Sequence, residues 1–234
     1  MIDKTETVCL GWCDGGHVDG RFAQGLVAVL LDGPAEGICF HHHARVPGNQ
    51  IARQRHYLLN YWKAACDTDW LLWVDSDIVL TVDVLKKLWA TADKTTRPIV
   101  TGTYFVSKTS ETLLDCPYPN LYTDLNGFRM RHLHPLPAGE QVVQVDAAGF
   151  GLLLMHRSIF ASLVDVERGL FTETCEYNDF VGEDVAFFRA VKRAGLPVVA
   201  NTAAVAEHVK RFSLGLSYYR QFWNERLPQG ETPA

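Results

Sequence analysis

Residues 70–74 read WLLWV, five large apolar residues with no polar alternation, and residues 75–77 follow at once as Asp-Ser-Asp. An unbroken apolar run of strand length suits a strand covered on both faces, as happens where helices pack on either side of a largely parallel sheet. In such sheets ligands bind beyond the carboxyl ends of the strands, so Asp75 and Asp77 emerge where a site is expected. Two carboxylates at i and i+2 across a turn can offer oxygens to one hard divalent cation. Mg2+ or Mn2+ suits them and leaves positions open for phosphate oxygens. The plain alternative is that both acids only end the strand and cap the next helix.

The rest of the chain alternates in the same way. Strand-length stretches fall at 7–12, 37–42, 99–106, 141–145, 152–155, 198–200 and 203–207. Helical periods fall between them. Asp19 is placed to cap a helix over 20–31, with Phe22, Ala23, Leu26, Val27 and Leu30 as its apolar stripe. Pro47 and Asn49 open a helix to about residue 65, with Ile51, Leu58, Trp62 and Ala65 on one side and Arg53 and Arg55 in its first turns. Further helices are expected over 82–93 (Val82, Leu85, Leu88, Trp89 and Ala92 inward), 158–164, 183–194 (Val185, Phe188 and Val191 inward) and 217–226. Gly195-x-Pro197 ends the helix over 183–194. Residues 115–139 carry four prolines and no sustained period, which predicts irregular loops around a hairpin near 121–132. The fold class is α/β, a mixed and mostly parallel sheet flanked by helices.

At 234 residues the chain suits one domain. Its net charge of −5 argues against a protein held to nucleic acid or anionic lipid mainly by bulk positive charge. No apolar run nears the roughly 18 residues that span a bilayer, and the N-terminus is polar. Both features give the expectation of a cytoplasmic protein without a transmembrane segment. Six cysteines with no C-x-x-C pair predict reduced, buried thiols rather than a disulfide framework or a zinc site.

Three further groups carry chemistry. Glu183 and Asp184 open a helix. Acids there complement the helix dipole, yet a helix N-terminus is also a rigid mount for a carboxylate that accepts a proton. The dipole is expected to lower the pKa of Asp184 and so weaken it as a base. His208 ends a strand beside Lys210 and Arg211; a neutral imidazole can complete a metal shell, and two cations can hold a diphosphate. Gly149 and Gly151, between two strands, suggest close approach of backbone to a ligand, though a simple turn explains them nearly as well. Weaker candidates are Trp12 and Asp14 after the first strand, for contact with a nucleotide base, and His41 with His43, which share a strand face.

Taken in order, WLLWVDSD, AAGFGLLLMHRSIF, GEDVAFFRAVKRAG and EHVKR resemble the GT-A glycosyltransferases, above all small stand-alone bacterial and bacteriophage members. The likeness extends to VCLGWCDGGHVDGRFAQGL and IARQRHYLLNYW. It implies a Rossmann-like GT-A domain, with residues 1–110 as its nucleotide-binding half and 111–234 as its acceptor-binding and catalytic half. It also implies a nucleotide-diphosphate-sugar donor and a bound Mn2+ or Mg2+. Asp77 matches the metal-binding acid of the DxD motif, Asp75 the acid facing ribose or metal, and His208 the late histidine of the metal shell. Asp184 matches the base and Glu183 the neighbour that places the acceptor. Gly149 and Gly151 match a loop near donor and acceptor, and Arg53 sits where helical residues approach the nucleotide. Inversion at the anomeric carbon is expected, with the acceptor class open among a glycan, a small molecule, a protein and a modified nucleic-acid base. Two alternatives stand beside this reading. One is a two-metal nuclease or nucleotidyltransferase using Asp75, Asp77, Glu183 and Asp184; the other is a silent domain that binds a nucleotide or sugar without turnover.

Overall fold

A computed structural model describes residues 6–106, 117–124, 130–163, 169–176 and 179–210. Arg211, Cys116 and the helix expected over 217–226 lie outside the described residues. Seven strands form the central sheet: β1 (Thr7–Asp14), β2 (Cys39–Pro47), β3 (Trp70–Val74), β4 (Ile99–Thr103), β5 (Val142–Gln144), β6 (Leu152–His156) and β7 (Val199–Val205). Their order is β5-β7-β4-β6-β3-β1-β2. β1 is parallel to β2 and β3, and β7 to β4. β6 is antiparallel to β3 and β4, and β5 to β7. Five strands of the seven therefore run one way, giving the mostly parallel sheet expected.

All five residues of β3 are fully buried, and two separate cores explain why the strand shows no alternation. Trp70, Leu72 and Val74 pack with residues of α1 (Gly20–Asp32) and α3 (Val82–Thr91) on one face. Leu71 and Trp73 pack with α2 (Ile51–Ala65) and α5 (Glu183–Arg193) on the other. A short helix, α4 (Phe160–Leu163), follows β6. Fully burying each such side chain contributes about 1.5–3 kcal/mol, so this strand anchors whatever stands at its end.

Helix caps follow the sequence more closely than helix faces do. Asp19 accepts from the Arg21 N–H and Thr81 from that of Val84. On α1, however, the buried residues are Phe22, Gly25, Leu26 and Val29, whereas Val27 and Leu30 are exposed. The reason is Gly25: a Cβ there would come 2.5 Å from the Leu80 carbonyl oxygen, and this close approach turns the helix about its axis. On α2 the buried set is Gln54, Arg55, Leu58, Leu59 and Trp62, with Ile51 and Ala65 exposed. On α5 Phe187 joins Phe188 and Val191 inside, and Gly195, at φ +70°, ends the helix. On α3 Val84 and Thr91 are buried and Trp89 is not. The hairpin pairs Leu121–Asp124 with Met130–His132. The five described cysteines are free; Cys9, Cys13 and Cys66 are buried, whereas Cys175 is exposed, contrary to expectation. Among the described residues no helix is long and apolar enough to cross a membrane.

Remote from the aspartates that follow β3, at the strand's start, His156 is buried with its ring 4.7 Å from that of Trp70. Its Nδ1 accepts from the Ser158 N–H at 3.1 Å, which requires that nitrogen to carry no proton. Burial pushes its pKa below the ordinary histidine value, helped by Lys94 and Arg157 and opposed by Glu6 and Asp69. The unfolded chain therefore binds the extra proton first, and stability falls as pH drops through about 6.5. His156→Phe is expected to flatten the decline in melting temperature between about pH 7 and 5.5. Equal slopes for the two proteins would disprove that origin.

Candidate functional site

Beyond β3 the chain turns through Asp75–Asp77, with the Ile78 N–H donating to the Asp75 carbonyl. Residues Ile78–Val79 then pair antiparallel with Glu207–His208, and the Val209 N–H donates to the Asp77 carbonyl at 2.8 Å. This two-residue ladder brings side chains 131 positions apart into contact: His208 Nε2 lies 3.1 Å from Asp77 Oδ2. Lys210 Nζ lies 3.4 Å from the same oxygen. Burial opposes ionisation of Asp77, but the hydrogen bond and charge of His208 and the charge of Lys210 hold its carboxyl below the usual carboxylate range. A cavity of about 300 Å³ opens here, lined by Gly15, His17, Asp19, Ser76, Asp77 and Lys210. The N-terminus of α1 borders it, tied in by the Asp19 N–H donating to the Ser76 carbonyl.

His208 Nδ1 sits 2.8 Å from the Phe105 carbonyl oxygen. A carbonyl only accepts, so Nδ1 carries a proton; the Asp77 contact is a hydrogen bond only with a second proton on Nε2, and a cation displacing that proton would meet an Nε2 lone pair beside the carboxylate oxygen. Two acceptors converging on one point, with the second ring nitrogen anchored by a backbone carbonyl, form a donor set that fits a cation. Among the described residues no group of three or more His, Cys, Asp or Glu is arranged to hold a metal alone, so a cation here would need oxygens from a ligand or water.

Asp75 takes a different partner. Its carboxylate faces Arg55 Nη2 at 3.1 and 3.4 Å, and Arg55 Nη1 donates to Glu183 Oε1 at 2.6 Å. The guanidinium lies 4.7 Å from the centre of the Phe150 ring. Asp184 stands beside this unit at the first turn of α5, and its Oδ1 accepts from the Val185 N–H at 2.7 Å. Burial pushes the Asp184 pKa up, as do the charges of Glu183 and Asp75, while Arg55 pulls it down; the net direction is upward. This reverses the lowering expected from the helix dipole, because dehydration and two neighbouring acids outweigh it.

The glycine loop is shaped by Tyr104. A Cβ on Gly149 would collide with the Tyr104 hydroxyl, and one on Gly151 would come 2.9 Å from it. The buried phenol accepts from the Gly151 N–H at 3.0 Å, and its ring meets His208 edge-on at 5.1 Å. A side chain thus occupies the space these glycines leave. The Asp75 N–H in turn donates to the Gly151 carbonyl.

Other expected residues stand outside this arrangement. Arg53 is exposed, with its guanidinium 5.3 Å from the Tyr57 ring. Trp12 is half-buried, and its Nε1 donates to Asp14. Asp14 has no exposed side chain; Arg45 and the Gly16 N–H also donate to it, so its carboxylate is taken up internally. His42, rather than His41 or His43, meets Asp67 at 3.0 Å. The residues missed were Arg55 and Tyr104. For Arg55 a signal existed, since positions 55, 58, 59 and 62 recur at helical spacing with Leu58, Leu59 and Trp62. An arginine on that stripe demands a carboxylate. No comparable signal marked Tyr104.

No protein-family model matches the sequence, and no curated protein matches it. In three dimensions the chain is similar to A197 from STIV, at 19% identity and a TM-score of 0.55, covering 87% of this chain and 85% of that one. It is also similar to GalNAc-T7, solved with UDP, GalNAc and Mn2+, at 12% identity and a TM-score of 0.59. That match covers 89% of this chain but only 44% of GalNAc-T7. The chain has the GT-A fold.

Proposed function

We propose that the protein is a metal-dependent glycosyltransferase that moves a sugar from a nucleotide-diphosphate-sugar to an acceptor hydroxyl, with inversion. The observation that carries this reading is the convergence of His208 and Lys210 on Asp77, with Asp77 and Lys210 lining the cavity at the end of β3. Asp77 and His208 would hold Mn2+ or Mg2+, which when bound supplies Lewis-acid neutralisation of a departing diphosphate. Lys210 adds a fixed positive charge, and the N-terminus of the 13-residue α1 adds its dipole. Arg211 extends this basic stretch in sequence. Trp12, Gly149, Gly151 and Arg53 remain candidates for contact with the donor, Trp12 at the end of β1 for the base.

Asp184 acts as the base in this reading, with Glu183 beside it. The acceptor O–H gives its proton to Asp184, the oxygen lone pair forms the bond to the anomeric carbon, and the bond from that carbon to the diphosphate oxygen breaks. Its electron pair leaves on the nucleoside diphosphate. A raised proton affinity favours Asp184 for this step. The donor end draws on both halves of the chain, because His208 and Lys210 come from the second. Against the nuclease alternative, Arg55 engages Asp75 and Glu183, two of the four acids that a pair of shared cations would need.

The test is a panel of nucleotide sugars with Mn2+. The correct donor at 100 times its Kd is expected to stabilise the fold by about 2.7 kcal/mol, or roughly 5–10 °C in melting temperature. Slow Mn2+-dependent hydrolysis should accompany it without acceptor. If no donor shifts the melting temperature or is turned over, the transferase reading is lost. Stabilisation without any turnover would favour the silent domain.

A further inference from the structure

Arg55 is the only buried lysine or arginine among the described residues. Its two terminal nitrogens reach acids from different parts of the chain, Asp75 after β3 and Glu183 at the start of α5. Phe150 covers one face of the guanidinium. Its Nε is buried with no hydrogen-bond partner among the described residues, so its electrostatic purpose is concentrated in these two pairs. A third acid, Asp184, adjoins them and has no cationic hydrogen-bond partner among the described residues.

We propose that Arg55 is a positioning residue for the transfer step: it locks Asp75 and Glu183 into one ion-paired unit and leaves Asp184 as the carboxylate that takes the acceptor's proton. This rests on the glycosyltransferase reading above. A single cation cannot neutralise three neighbouring acids, and the acid left over is the one whose ionised form is least favoured. Arginine is required because its planar fork spans two carboxylates at once, which the compact ammonium of lysine does not. The pairing also ties α2, the end of β3 and the start of α5 into one unit, so the acid on α5 keeps its place relative to Asp75.

Arg55→Lys, Arg55→Gln, Glu183→Gln and the double variant Arg55→Gln/Glu183→Gln test it. Arg55→Lys, which keeps a buried charge and is the variant least prone to misfold, is expected to lose about 100-fold in kcat, the scale of a small misplacement at a reacting centre. Donor KM should change little. The double variant should lose no more than the worse single variant, because residues acting as a unit are not additive. A second readout needs no turnover: carboxyl-carbon NMR of folded Arg55→Gln should show Asp184 titrating at higher pH than in the wild type. An unchanged kcat in both Arg55 variants, additive losses, or an unmoved Asp184 titration would each overturn the proposal. A wild-type chain that turns over no donor, with the titration shift present, would instead remove the transferase reading and keep the acid–cation unit.

Discussion

Asp77→Ala is expected to abolish both donor binding and turnover, with a fall of at least about 1,000-fold in kcat/KM, or roughly 4 kcal/mol of transition-state stabilisation. The loss is large because Asp77 is the point on which His208 and Lys210 converge. Without its carboxylate the donor set has one neutral nitrogen, and the diphosphate meets no held counter-charge. Asp77→Asn should fail almost as badly, since it keeps the shape and removes the charge. Folding should be spared in both, because the side chain is 42% exposed and the link to Val209 uses the Asp77 backbone carbonyl. The decisive measurement is donor-induced thermal stabilisation with Mn2+. Full stabilisation of Asp77→Ala would remove the metal and diphosphate from this cavity.

Asp184→Asn is expected to separate binding from chemistry. The amide oxygen can still accept from the Val185 N–H, so the local fold persists, and among the described residues no hydrogen bond or ion pair links Asp184 to Asp77. Donor binding should therefore match the wild type while kcat for transfer falls by about 100- to 10,000-fold, the usual share of a general base. The pH dependence carries a second signature. A base works deprotonated, so wild-type transfer should rise with pH through the Asp184 pKa. Burial, with Glu183 and Asp75 as neighbours, places that rise above the ordinary carboxylate range. The asparagine variant should lose this limb. Normal transfer by Asp184→Asn would disprove the assignment of the base.

Much of the fold was legible because the signals are local. The run at 70–74 announced a strand covered twice, and the two cores on either side of β3 explain it. Asp19 and Gly195 mark helix ends through chemistry confined to one turn. Helix faces were less legible: Val27 and Leu30 read as core residues and are exposed. Periodicity gives an apolar stripe roughly 100° wide, and what selects the buried part of it is a neighbour such as the Leu80 backbone against Gly25.

The same division runs through the site. By itself the sequence determined that Asp75 and Asp77 stand at the end of a buried strand and that Glu183 and Asp184 open a helix, because strand ends and helix starts are written in adjacent residues. Only the tertiary structure decided which partner each acid takes. His208 meets Asp77 from 131 positions away, Arg55 rather than Arg53 enters the cluster, and Tyr104 fills the space beside Gly149 and Gly151. Charge pairing and dehydration depend on distance through space, and that distance exists only once the sheet has brought both halves of the chain together.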